Sequence, residues 1–240
     1  MGTVITAELR APGVPAPVLD AVFAWFREVD LVFSPFRPDS EISRLGRGEI
    51  GEAACRPEVR EVLGLCAEVE SRSHGCFDIR CGGTLDPSGL VKGWAVERAA
   101  AMLVAAGARD FLLDGGGDIV VRGRPAPDQL WRVGIRHPER PDQLAAVVAT
   151  GDRAVATSGT YERGPHILDP RTGRPPVGLL SMTVVGPSLT YADAFATAAY
   201  VMGEPGTIWV GGIPGYDALA ITADHRTVWT PGMDGLLVRG

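Results

Sequence analysis

Apolar positions recur at helical spacing in two early segments of the chain. After a stretch punctuated from Pro12 to Pro17, Val18, Val22, Trp25, Phe26 and Val29 form one stripe. A second stripe follows Pro57, in Val59, Val62, Leu63, Cys66 and Val69. Between them, Phe33-Ser34-Pro35-Phe36-Arg37-Pro38-Asp39-Ser40 reads as a loop. A third helix is predicted from near Ser88 through Trp94, Ala99 and Leu103, with Gly107 as its stop. The pattern then turns to strands: Leu112-Leu113 entering the glycines at 115–117, Ile119-Val120-Val121, and the alternation Trp131, Val133, Ile135. Apolar runs at 145–149, 153–156 and 180–185 add further strands, as does the opening Met1 to Glu8. A fourth helix spans about Tyr191 to Met202, and two closing strands lie around Leu219-Ala220-Ile221 and Val228-Trp229. Helices and strands come in groups without strict alternation, which favours an α+β architecture with mixed or antiparallel sheets. No internal repeat or low-complexity linker interrupts it, so one compact domain over residues 1–240 is expected.

Composition narrows the partners. Of 240 residues, 45% are apolar and 22% charged, which is enough to bury a sizeable core. The net charge of −6, with basic residues scattered, offers neither a nucleic-acid face nor an anionic-membrane face. No apolar run approaches the ~20 residues of a membrane span, and the first residues lack the pattern of an export signal, so a cytoplasmic location is expected. Cys55, Cys66, Cys76 and Cys81 have no zinc-like spacing and read as inert thiols.

Several positions carry possible chemistry. Asp193 and Thr197 lie four apart in a helical segment and present oxygen on one face, which suits Mg²⁺; a dipole-favouring Asp and a back-bonding Thr would leave the same trace. His166 precedes Asp169-Pro170-Arg171-Thr172-Gly173, a tight-turn sequence, and is either a general base or a turn-capping histidine. Ser158 with His166 and Asp169 makes a poor hydrolase triad, because Thr157-Ser158-Gly159 is no nucleophile elbow and the three residues crowd one short segment. Ser88-Gly89-Leu90-Val91-Lys92-Gly93 is not a Walker motif, though small residues and a lysine at a helix start can hold a phosphate as readily as they begin an ordinary helix. Gly115-Gly116-Gly117-Asp118 either lets backbone approach a ligand or simply turns the chain.

The order of these blocks resembles the FAD:protein FMN transferase (ApbE) family over nearly the whole chain. The carriers are Met1-Gly2-Thr3, the segment from Phe33 to Leu45, Phe77-Asp78, Asp86 to Ala95, Gly116-Gly117-Asp118, Ser158 to Tyr161, His166 to Gly173 and Ala192 to Thr197. Where that family has Gly-Gly-Ile-Ala-Lys-Gly, this chain has Ser88 to Gly93, and Gly46 stands where an Asn is frequent. The resemblance implies a single α+β domain with FAD in a cleft and FMN transfer to a Thr or Ser hydroxyl of a separate acceptor protein, with release of AMP. It implies that Met1 and Phe36 line the flavin, and that Ser88, Lys92, Gly116, Gly117 and Asp118 belong to the FAD site. It further implies Mg²⁺ held by Asp193, Thr197 and the carbonyls of Val91 and Ala196, with His166 as base. Two rivals remain open: an FAD-binding protein that transfers nothing, and an FAD pyrophosphatase that yields FMN and AMP.

Overall fold

The computed structural model describes residues 3–10, 14–159 and 167–238. Seven strands form an antiparallel sheet in the order β1 (Ile5–Leu9), β2 (Phe111–Gly115), β3 (Ile119–Arg122), β6 (Ala154–Gly159), β7 (Leu179–Gly186), β8 (Asp217–Thr222), β9 (Thr227–Trp229). The intervening β4 (Trp131–His137) and β5 (Arg140–Thr150) pair as a separate hairpin. The α+β expectation holds, and every strand pair is antiparallel.

Side-chain alternation divides the core in two. On one face of the sheet, Val121, Val155, Val185, Leu219 and Ile221 pack with Trp131, Val133, Ile135 and Val148 of the hairpin. The opposite face presents Val120, Ala154, Ala156, Val184, Ala218 and Ala220 to the helices. Because both faces are covered, these strands read as continuous apolar runs.

The helical layer comprises α1 (Ala16–Phe33), α2 (Glu41–Gly46), α3 (Pro57–Arg72), α4 (Ser88–Ala105), α5 (Leu189–Met202) and α6 (Glu204–Gly211). The predicted stripes are the buried ones: Val22, Phe26 and Val29 on α1, and Val59, Val62, Cys66 and Val69 on α3. Two helices were missed. α2 starts at Ser40, whose hydroxyl accepts the Ser43 N–H, but six residues are too few to show a period. In α6, Pro205 and Gly206 look like breakers, yet proline suits a first turn.

α5 is buried nearly all round, which its alanines permit. It packs on α4 across Gly93, where an added Cβ would lie 2.5 Å from the Leu189 carbonyl oxygen and 2.8 Å from Asp193 Cβ. Gly93→Ala is therefore expected to push the two helices apart and cost about 1–3 kcal/mol, the range for overpacking a filled core. Urea denaturation beside the parent protein checks this; an unchanged midpoint would show that the helices are not in forced contact.

Candidate functional site

A cleft of about 620 Å³ opens between the 33–36 loop, the 76–81 segment, the start of α4, the end of β6 and α5. That volume is in the range of small-molecule sites. Its lining includes Phe36, Ser88, Val91, Lys92, Ser158, Asp193 and Thr197.

The loop carrying Phe36 is held by serine hydroxyls. Ser40 Oγ donates to the Ser34 carbonyl at 2.7 Å, and Ser43 Oγ lies 3.3 Å from the carbonyls of Ser34 and Pro35. Phe36 itself is 89% exposed beside the cleft, an unusual position for a large aromatic on an ordered loop.

At the buried end, Asp193 and Lys92 come from adjacent helices. Asp193 Oδ2 accepts the Gly93 N–H at 2.9 Å. Lys92 Nζ pairs with Asp118 Oδ2 at 2.8 Å, and Asp118 Oδ1 receives the Thr157 N–H at 3.4 Å. Burial pushes the Asp193 carboxyl well above the usual carboxylate range, and the neighbouring Asp118 charge adds to this; Lys92 and the Gly93 N–H act in the opposite direction. Burial likewise raises Asp114, with Asp118 again contributing. Two carboxyl groups, Asp193 and Asp118, thus gather about one ammonium, Lys92, at this end of the cleft. Thr197 Oγ1 shares a hydrogen bond with Ser158 Oγ at 3.1 Å, and Gly89 leaves it room.

Not every expected site residue meets here. Val91 lines the cleft, whereas Ala196 is fully buried in α5 and does not line it. Asp118 is also fully buried and reaches the cleft through Lys92. Gly116 and Gly117 lie outside the cleft lining; with φ of 69° and 90° they turn β2 into β3, and the Gly117 N–H donates to Asp114 Oδ1 at 2.7 Å. Met1 and His166 lie outside the described residues.

The Asp169 turn forms as read: Asp169 bridges to Arg174, and its carbonyl accepts the Gly173 N–H at 2.8 Å. Its carboxylate is gripped at both oxygens by Arg171, at 2.8 and 2.9 Å, which holds it below the usual range. Asp169 is thus engaged by Arg171 and Ser158 by Thr197, while the histidine of the poor hydrolase triad, His166, lies outside the described residues. The cysteines are free, and burial raises all four thiols, Cys66 to about 12. No described helix is long and apolar enough to cross a membrane.

Sequence reasoning missed the serine lock on the Phe36 loop and the Arg171 clamp. Both had local signals, in Ser34, Ser40 and Ser43 and in the Asp-x-Arg spacing.

Known proteins resemble this chain in sequence and in fold. It is 39% identical over 158 residues to "FAD:protein FMN transferase" of Rhodobacter capsulatus, covering 62% of this chain and 30% of that protein. It is 34% identical over 194 residues to the protein of the same name from Treponema pallidum, covering 73% of this chain and 54% of that one. The match thus spans about a third to a half of the relatives' length. Among solved structures, the flavin transferase ApbE from Vibrio cholerae superposes with a TM-score of 0.87 over 99% of this chain and 96% of that one, at 23% identity. The apo flavinyl transferase ApbE of Pseudomonas stutzeri gives 0.83 over 100% and 95%, also at 23%. At that identity the superpositions establish the fold. The ApbE family profile matches residues 1–84 and 82–219, from before β1 into β8, and the chain belongs to the ApbE family.

Proposed function

We propose that this protein splits FAD in a magnesium-dependent reaction and attaches the FMN half to a Thr or Ser hydroxyl of a separate acceptor protein, releasing AMP. The observation that carries the reading is the buried Asp193 beside the Asp118–Lys92 ion pair at one end of a cleft whose other side offers an exposed aromatic, Phe36. The names of the curated relatives point the same way.

The donor set suits a hard cation. Asp193 and Thr197 supply oxygens, and the local excess of carboxyl groups over ammonium is what a divalent ion would draw on. Among the described residues no group of three or more His, Cys, Asp or Glu side chains gathers as a metal site, so hydroxyl and backbone oxygens would complete the shell. Asp193, Thr197 and the carbonyl of Val91 are the proposed holders; Ala196, the fourth residue implied by the family resemblance, is buried in α5 outside the cleft lining. When bound, the ion would supply charge neutralisation at the pyrophosphate.

The remaining work falls to the chain's own groups. Phe36 offers its ring face to the isoalloxazine, and Lys92 with the start of α4 at Ser88 favours the phosphates. Gly116 and Gly117 fix the turn that delivers Asp118, which holds Lys92 in place. His166 is proposed to take the proton from the acceptor hydroxyl as its oxygen bonds to the FMN phosphorus and the bond from that phosphorus to AMP breaks. The direct experiment incubates the protein with FAD, Mg²⁺ and candidate acceptors, followed by mass spectrometry. An acceptor gaining FMN with stoichiometric AMP supports transfer, FMN and AMP without adduct indicates a pyrophosphatase, and intact FAD indicates a binding protein.

Three variants test the roles. Phe36→Ala should weaken FAD binding by about 1–3 kcal/mol in a fluorescence titration, without lowering thermal stability, since the ring is exposed. Asp193→Asn replaces a carboxyl whose ionisation the core opposes with a neutral group of the same shape, so without metal its melting temperature should equal or exceed the parent's; its Mg²⁺-induced stabilisation should vanish and transfer should fall by ~10²-fold or more. A loss of metal-free stability with intact Mg²⁺ dependence would instead assign Asp193 to the helix. For His166→Asn, FAD should still bind while transfer slows by roughly 10²–10⁴-fold, and wild-type turnover would remove the histidine from the mechanism.

A further inference from the structure

Glu97 lies on α4 one turn beyond Gly93, partly buried and outside the cleft lining. Its Oε2 accepts three hydrogen bonds from the start of α5: Ser188 Oγ at 2.7 Å, the Thr190 N–H at 3.0 Å and Thr190 Oγ1 at 2.5 Å. A local cap would have sufficed to begin the helix, and Ser188 Oγ already accepts the Tyr191 N–H at 3.4 Å. The bonds to Glu97 therefore join two helices rather than end one.

Their position along the pair gives them a consequence. One turn back along α4, the Gly93 N–H meets Asp193; one further turn back, Gly89 lies against Thr197. The antiparallel helices thus have three successive rungs, Glu97 with Thr190, Gly93 with Asp193 and Gly89 with Thr197. The second and third place the two side chains proposed for magnesium. The first lies outside the cleft lining, and it is the rung made of three hydrogen bonds to one carboxyl oxygen. Glycine rungs set how closely the helices approach but resist sliding poorly, because they offer little side chain to interlock. A slide of α5 along α4 would take Asp193 Oδ2 off the Gly93 N–H.

We propose that Glu97 is a positioning residue whose tie to Ser188 and Thr190 fixes the register of α5 on α4, and with it the arrangement in which Asp193 and Thr197 present oxygen to Mg²⁺. The inference rests on the magnesium reading above. Partners outside a metal's own ligands commonly contribute about 10–100-fold in affinity by such orientation.

The test is a thermal-shift titration with Mg²⁺ at fixed FAD, in parent, Glu97→Ala, Glu97→Gln, Thr190→Val and Val133→Ala proteins. The last variant lowers stability from the opposite side of the sheet. Glu97→Ala should raise the half-saturating Mg²⁺ concentration by roughly 10–100-fold, and Glu97→Gln, which keeps an acceptor, should restore most of it. Thr190→Val removes one of the three bonds without changing shape; it should shift half-saturation in the same direction by a smaller factor and carries the test if Glu97→Ala does not fold. Val133→Ala should melt earlier with unchanged half-saturation. Parent-like half-saturation in both Glu97→Ala and Thr190→Val, or an equal shift in Val133→Ala, would overturn the positioning role while leaving the magnesium site standing. A parent protein indifferent to Mg²⁺ would overturn the metal reading itself.

Discussion

The close contact of α4 with α5 is the constraint on which the rest of the structure depends. A side chain at Gly93 would collide with the Leu189 carbonyl, so the helices meet at this distance only because nothing projects there. The same approach lets the backbone N–H of one helix reach a carboxylate on the other. Alanines continue the arrangement outward: α5 is sandwiched between the glycines of α4 and the β6–β7 part of the sheet, where Ala154, Ala156 and Val184 share its core. Small residues on three surfaces bring a helix, a sheet and a second helix into one tightly packed stack.

That packing has an electrostatic consequence. Asp193 is carried into the core, where an ionised carboxylate is poorly solvated, and Asp118 lies close enough to oppose its charge. Lys92 and one N–H offset only part of this. Two acids with one ammonium would be a poor choice for stability alone, and well-packed apolar residues would serve a core better. Their presence beside a cleft is the kind of local conflict that proteins retain where a charged ligand completes the set.

The cleft's outer parts are fastened by local polar contacts. Serine hydroxyls close the 34–43 segment on itself, so that Phe36 stands exposed on a braced loop. Arg171 grips Asp169 and also donates to the Val201 carbonyl at 3.3 Å, linking the turn after the cleft to the last turn of α5. The helix that bears Asp193 and Thr197 is therefore held near both ends, by Glu97 at its start and Arg171 at its finish.

What the sequence determined by itself was local or periodic. The stripes of α1 and α3, the α5 segment with Asp193 and Thr197 on one face, and the Asp169 turn follow from spacing, because helical and turn geometry repeat over a few residues. The order of motifs pointed to the family, and with it to Phe36, Lys92 and the cleft. Tertiary structure alone decided which distant residues meet: Lys92 with Asp118, Gly93 with Asp193, and Glu97 with Thr190. It also placed Gly116 and Gly117 at the turn between β2 and β3, outside the cleft lining. A glycine's need for space, or a carboxylate's partner, depends on what the folded chain brings against it, and no periodicity along the chain records a contact made across it.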